Sequence, residues 1–278
     1  MRNTQSRTAL AAAAHRAAHQ VLERGSIFSD PLAVRILGAE AEEAIRGSSG
    51  NASTRKLRLF IAVRSRIAED ALAVALHHGV RQVVVLGAGL DTYAYRSTGI
   101  ADLRIFEVDH PATQAWKRKC LADAGITLPP ALILAPLDFE RATLGATLEL
   151  AGLDPNRRTF FTWLGVVPYL TEPWILKTLR YIADLSAGAE VVFDYCNPLS
   201  AAATAQRAAD RAALAARVAS VGEPFQSYFD TAQLLATLAG LGFTRRYDWG
   251  PAEIRARFFS IDRGSSGNEG GHVVSAAT

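Results

Sequence analysis

Val83, Val84, Val85 and Leu86 run without a polar break into Gly87-Ala88-Gly89. An uninterrupted aliphatic run of this length suits a strand buried on both faces, as in a parallel sheet. Small residues directly after it let the chain turn sharply and let a ligand approach the backbone. Asp91 and Thr92 follow, with side-chain oxygens able to bind a small molecule. In doubly wound folds, ligands settle at the carboxyl ends of such strands. A second apolar stretch, Ile105 to Val108, carries Glu107 and ends on Asp109. Asp109 stands about 20 residues after Gly89, where an acid can take up the ribose diol of a nucleoside.

The same alternation continues along the chain. Strands are expected at 82–86, 103–108, 131–135, 158–163 and 190–195, with helices at 111–124, 140–151 and 173–185 between them. A period of roughly 25–30 residues matches parallel crossover units. After Pro198 the rhythm breaks: an Ala/Arg-rich helix at 199–220 reads as an insertion. A short helix at 231–241, a strand at 243–249, a helix at 251–259 and a terminal strand at 272–276 follow. The expected fold class is α/β: a Rossmann-like, seven-stranded, mostly parallel sheet with helices on both faces. It carries an N-terminal helical cap and a helical insertion after strand five. The chain reads as a single domain, with a cap at 1–78, a core at 79–197, an insertion or lid at 198–229, and the rest of the sheet at 230–278.

Within the cap, a helix at 4–24 places Leu10, Ala14, Ala17 and Val21 on one side and ends at Gly25. His15 and His19 share a face of it. Without HExxH or a third ligand nearby they read as a solvated face, and no metal site is expected. Asp30 before Pro31 reads as the cap of a second helix, and 46–53 reads as a loop. A long helix at 54–78 buries Leu57, Phe60, Ile61, Ile67, Leu72 and Leu76, while most of Arg55, Arg58, Arg64 and Arg66 face solvent.

Several classes are disfavoured. The net charge is +3, and without a long Lys/Arg block nucleic acid is not an expected partner. The 2 cysteines have no CxxC spacing, so a disulfide framework or zinc site is not expected and a reducing cytoplasm is the natural setting. No apolar run reaches membrane-spanning length, and the first residues have no apolar core of signal-peptide length. GxxxxGK[ST] and GxSxG are missing. Dinucleotide folds share the GxG turn but show a third glycine three residues on; here that residue is Thr92, and the Asp91 carboxylate would repel phosphates.

The segments LGAGLDTYAYR and FEVDHP, with FIAVRSRIAED before them and APLDFE and TWLGVVPYLTE after them, resemble the leucine carboxyl methyltransferase-like family. This is a family of class I S-adenosylmethionine-dependent methyltransferases, and the actinobacterial and polyketide O-methyltransferase types look closest. The resemblance implies S-adenosylmethionine as cofactor and methyl transfer to a carboxylate or hydroxyl of a small molecule, in a monomer or homodimer. It assigns Arg64 to the cofactor's methionine carboxylate, a task that suits a guanidinium fork. Gly87, Ala88 and Gly89 give close backbone approach, with Asp91 in the same loop. Asp109 takes the ribose hydroxyls with Glu107 beside it, and Asp138 the adenine amino group with Phe139 on the ring. Where the family often has Glu-Gly after strand four, this chain has Leu164-Gly165. Backbone carbonyls around Trp163 and Leu164 then serve the cofactor's amino end.

Other readings of these residues stay open. Asp109 or Asp138 could cap the helix that follows it, and Tyr169 could be a core tyrosine. Tyr169, Phe225, Tyr228 and Trp249 are candidates for an acceptor pocket. A carboxylate acceptor needs no base; a hydroxyl acceptor would want one, from Tyr169 or His110. A nicotinamide-dependent oxidoreductase and a non-catalytic protein on the same fold are the alternatives.

Overall fold

The computed structural model describes residues 6–50, 52–97, 99–138, 141–199, 204–220, 222–260 and 270–278. The chain divides into two compact units, Met1–Thr162 and Trp163–Thr278. Phe139 lies outside the described residues.

The first unit opens with helices α1 (Arg7–Leu22), α2 (Ala33–Leu37), α3 (Ala41–Ser48) and α4 (Ala52–His77). Then come β1 (Gln82–Leu86), α5 (Tyr93–Arg96), β2 (Arg104–Asp109), α6 (Pro111–Asp123), β3 (Leu132–Pro136) and α7 (Leu144–Leu150). The strand β4 (Thr159–Trp163) leads from this unit into the next. β1 pairs in parallel with both β2 and β4, and β2 with β3. All five residues of β1 are buried, as its unbroken aliphatic run requires. The second unit adds α8 (Glu172–Ala183), β5 (Ala189–Cys196), α9 (Ala205–Ser220), α10 (Thr231–Gly240), β6 (Arg245–Trp249), α11 (Pro251–Phe259) and β7 (Gly271–Ala277). β7 runs antiparallel to β5 and to β6. The seven strands take the order β3-β2-β1-β4-β5-β7-β6, a mostly parallel sheet with an antiparallel β7. The expected strands thus fall within a residue or two of the observed ones.

The N-terminal cap differs from expectation in a consistent way: polar residues read as solvated are buried. His19 has no exposed surface and His15 almost none. His19 Nδ1 faces Glu23 Oε2 at 3.2 Å, and its Nε2 accepts the N–H groups of Ile27 and Phe28. Glu23 in turn receives Arg58 in a two-pronged bond, Nε to Oε2 at 2.9 Å and Nη2 to Oε1 at 2.6 Å. Arg58 is buried too, and its Nη1 donates to the Ser48 carbonyl. Asp30 is buried and does two things: its Oδ1 accepts the Leu32 N–H at 3.2 Å at the turn that leads into α2, as expected of a cap, and its Oδ2 accepts from Arg16 Nε at 3.1 Å. α2 starts only at Ala33. Much of the expected loop at 46–53 is helical, in α3 and the start of α4. Val21, expected on the buried side of α1, is 53% exposed.

In the second unit one polar cluster joins β5, β6 and β7 to the start of α10. Tyr195 on β5 lies between Thr231 Oγ1 (2.9 Å) and Asp248 Oδ1 (2.8 Å). Asp248 Oδ2 meets His272 Nδ1 at 2.8 Å, and the Tyr195 and His272 rings stack at 4.9 Å. Burial pushes the Tyr195 hydroxyl above its ordinary range. The insertion is closed at its neck: the Cys196 carbonyl accepts the Phe229 N–H at 3.0 Å, and Asn197 Nδ2 donates to the Phe229 carbonyl and to Thr231.

Burial pushes His19 below its ordinary 6.5; Glu23 opposes this and Arg58 adds to it. The unfolded chain therefore binds a proton there at a pH where the folded chain still resists one, and stability falls as pH drops below about 6.5. Burial raises the Glu23 carboxyl, but the Arg58 bonds and charge together outweigh it and hold the group below 4.5. That contribution is present above 4.5 and lost below it. Urea unfolding of the wild type should show both losses. His19→Gln should abolish the His19 share of the loss that sets in below about pH 6.5 and keep the Glu23 loss below 4.5.

Candidate functional site

The loop after β1 is bound to β2 by its own backbone. Gly87 and Ala88 both donate their N–H groups to the Val108 carbonyl, at 2.8 and 3.1 Å. Gly89 donates to Asp109 Oδ2 at 2.6 Å. Gly87 and Gly89 hold φ of +64° and +43°, a region a side chain enters only with strain. Gly89 has a second reason to be glycine: a Cβ there would come within 2.9 Å of the Ala9 Cβ on α1. The same helix is tied to the loop by Arg16, whose Nη2 donates to the Leu90 carbonyl at 2.7 Å. Beyond the turn, Asp91 Oδ1 accepts the Tyr93 N–H at 2.8 Å and starts the four-residue α5.

Three carboxylates gather at this end of the sheet. Asp109 Oδ1 accepts the His110 N–H at 2.6 Å, so both oxygens are oriented by backbone donors, and the Thr113 side chain also hydrogen-bonds this carboxylate. Burial raises the Asp109 carboxyl, and the Gly89 and His110 N–H groups pull it back. Asp109 does not cap α6. His110 does, its Nδ1 accepting the Ala112 N–H at 3.2 Å. Glu107 is fully buried; its Oε2 accepts from Lys117 Nζ at 2.7 Å and faces the Tyr95 hydroxyl at 3.4 Å. Its Oε1 is buried with no hydrogen-bond partner among the described residues. Burial pushes Glu107 up, Lys117 pulls it down, and the charges of Asp91 and Asp109 push it further up. Gln114 on α6 also donates to the Glu107 carbonyl, so α6 is fastened to β2 twice.

The other assigned residues of the first unit occupy neighbouring elements. Arg64 is half-buried on α4. Asp138 is half-buried two residues past β3, where its carbonyl accepts the N–H groups of Arg141 and Ala142, and Arg141 Nε lies 3.5 Å from its carboxylate. The structure therefore links Gly87, Ala88, Gly89, Glu107, Asp109 and Asp91 directly; Arg64 and Asp138 are placed by their elements.

In the second unit Trp163 is buried against Phe193, with ring centroids 6.0 Å apart. After it, Gly165 donates its N–H to Asp194 Oδ1 at 2.5 Å. Tyr169 and Phe225 pack at a tilt with ring centroids 5.2 Å apart, and Phe225 meets Tyr228 edge-on at 6.3 Å. The Arg211 guanidinium lies over Tyr228 at 5.3 Å and donates to the Asn197 carbonyl. Backbone bonds fix this group of rings: Gln226 N–H to the Pro168 carbonyl, Gln226 Nε2 to the Tyr169 carbonyl, and Ser227 Oγ to the Val167 carbonyl. Trp249 packs elsewhere, on Tyr247 at 4.6 Å and under Arg257 at 4.8 Å. Sequence reasoning missed Arg16, Lys117, Asp194 and Arg211. Each acts on a residue at least ten positions away, which no local pattern reports.

A seven-stranded sheet of this order with an acid at the tip of β2 is the class I methyltransferase fold, and solved structures agree. A candidate methyltransferase from Thermobifida fusca YX superposes with TM-score 0.58 and 14% identity, covering 87% of this chain and 91% of its own. A DUF574 family protein from Streptomyces avermitilis MA-4680 gives TM-score 0.53 at 16% identity, over 87% and 93% of the two chains. The profile of the leucine carboxyl methyltransferase family matches residues 9–183, and the chain belongs to that family. YktD of Bacillus subtilis (strain 168), a candidate S-adenosyl-L-methionine-dependent methyltransferase by name, is 34% identical over 71% of this chain and 65% of its own length. A Frankia alni relative with the same naming is 35% identical over 64% of each. The chain thus spans just under two thirds of the length of these curated relatives. Among the described residues, no cluster of His, Cys, Asp or Glu could hold a metal, and no helix is long and apolar enough to cross a membrane.

The buried Glu107–Lys117 pair, with side chains 1% and 2% exposed, sets the stability of the β2 tip. Lys117→Met leaves an uncompensated buried carboxylate and should cost about 3–5 kcal/mol in urea unfolding. Adding Glu107→Leu should recover most of that loss, since an apolar pair of similar volume is often neutral.

Proposed function

We propose that this chain is an S-adenosylmethionine-dependent methyltransferase acting on an oxygen of a small molecule. The supporting observation is the state of the β1 loop. A dinucleotide fold uses loop and helix N–H groups to cradle a pyrophosphate. Here the N–H groups of Gly87, Ala88 and Gly89 are all taken by β2, and the helix that follows has only four residues. Asp91 and Asp109 add negative charge at the same place, while Glu107 is paired with Lys117. Such a tip disfavours phosphates and favours a ribose diol on a nucleoside that carries positive charge. That weighs against a nicotinamide cofactor. Glu107 Oε1, a buried acceptor lacking a donor among the described residues, and the two-fold orientation of Asp109 fit a polyol partner.

In this reading Asp109 holds the ribose hydroxyls with Glu107 behind it, Asp138 receives the adenine amino group, and Arg64 the methionine carboxylate. The backbone at Trp163 and Leu164 receives the ammonium. Bound there, S-adenosylmethionine supplies a sulfonium methyl, which the acceptor oxygen takes while the C–S electron pair stays on sulfur. The chain's task is to orient the acceptor and exclude water. Tyr169, Phe225 and Tyr228 offer a fixed aromatic surface for it.

The acceptor we favour is a carboxylate. His110 Nδ1 already accepts the Ala112 N–H, so a neutral ring carries its proton on Nε2 and presents a donor there, not a base. An acceptor ionised before it binds needs no proton removed. A secondary metabolite such as a polyketide acid fits this chemistry.

Calorimetry should show saturable binding of S-adenosylhomocysteine and none of NADH; the reverse would overturn the proposal. Asp109→Ala should weaken S-adenosylhomocysteine by about tenfold to a hundredfold, the share of a charge-assisted hydrogen-bond pair. Assayed with radiolabelled methyl donor on a panel of aromatic and acyl acids and phenols, the label should enter an ester, released as methanol by mild alkali. Alkali-stable label would mean a hydroxyl acceptor.

A further inference from the structure

Asp194 is a charged side chain, 3% exposed, near the carboxyl end of β5. Its neighbours on the strand, Phe193 and Tyr195, project to the opposite face, where Phe193 packs on Trp163. The carboxylate is aimed at the turn after β4, where Oδ1 accepts the Gly165 N–H at 2.5 Å. Such a short bond to an ion in a water-poor setting is strong and directional. Gly165 holds φ +72°, a conformation glycine adopts without strain. Leu164 brings no polar side-chain atom to this turn; a carboxylate reaches it from the next strand instead.

We infer that Asp194 is a positioning residue for the cofactor's amino-acid end: through the Gly165 N–H it fixes the turn after β4, and with it the Trp163 and Leu164 carbonyls that receive the ammonium. This rests on the methyltransferase reading above. Asp194 acts through the turn, not by touching the cofactor. An asparagine, whose amide oxygen accepts the same N–H, therefore serves in its place, and an alanine does not.

Two probes separate this role from a general structural one. S-adenosylhomocysteine carries the amino-acid end, and 5′-methylthioadenosine keeps the nucleoside but lacks it. By calorimetry on the full chain, Asp194→Ala should weaken S-adenosylhomocysteine by about tenfold or more while leaving methylthioadenosine within about twofold of wild type. Asp194→Asn should restore S-adenosylhomocysteine to within about threefold of wild type. Gly165→Ala, strained at its positive φ, perturbs the same N–H without touching β5 and should reproduce the selective loss, even if the Asp194→Ala chain fails to fold. Equal loss of both ligands, unchanged S-adenosylhomocysteine affinity in Asp194→Ala, or an asparagine variant as weak as alanine would overturn the inference and leave the methyltransferase reading intact. A wild-type chain that binds neither probe would remove that reading, and the inference with it.

Discussion

Three successive backbone donors, Gly87, Ala88 and Gly89, point at the end of one neighbouring strand, and much of the first unit follows from that. Backbone N–H groups are obligatory donors, and a loop that satisfies them internally has none to offer a ligand. What the loop presents outward is then its lack of side chains and the acids around it. Asp109 gains its orientation from the same bonds, because a carboxylate gripped by Gly89 and His110 cannot rotate away. The charge of that cluster is tolerable because Lys117 sits buried against Glu107, and α6 brings Lys117 there. A strand tip, a helix and a loop therefore depend on one another through hydrogen bonds, not through apolar burial alone.

The N-terminal helices use the same device. Arg16 joins Asp30 to the Leu90 carbonyl, Arg96 reaches both Asp30 and Glu69, and Arg58 locks Glu23 and Ser48. Buried guanidinium groups of this kind give little net stability compared with apolar packing, but they allow few alternative arrangements. α1 lies with Ala9 against Gly89, and small side chains along it, Ala13, Ala14, Ala17 and Ala18, are buried, which permits close approach.

Much of this was legible in the chain. β1 is an aliphatic run closed by glycine, and such a run carries its own boundaries: it begins and ends where expected. The acid at the end of β2 and the glycine loop were found by spacing alone. Periodicity treats a polar residue as a surface residue, so the burial of His19 and Arg58 was missed. Their burial depends on partners that a local window does not include, such as the Arg58–Glu23 pair, 35 residues apart. The segment around Gly47 and Gly50 reads as a loop from composition, yet helical structure covers residues 41–48 and resumes at 52, because packing overrides a weak propensity. Asp194 was invisible for a related reason: an acid inside an apolar strand says nothing about which turn it faces.

The pinched neck of the insertion has an evolutionary consequence. With the Cys196 carbonyl bonded to the Phe229 N–H and Asn197 bridging to Phe229 and Thr231, the intervening segment leaves and rejoins the second unit at nearly one point. The entropy of closing such a loop grows only slowly with its length. A lineage can therefore exchange this stretch wholesale, as a cassette, while β5 and α10 keep their course.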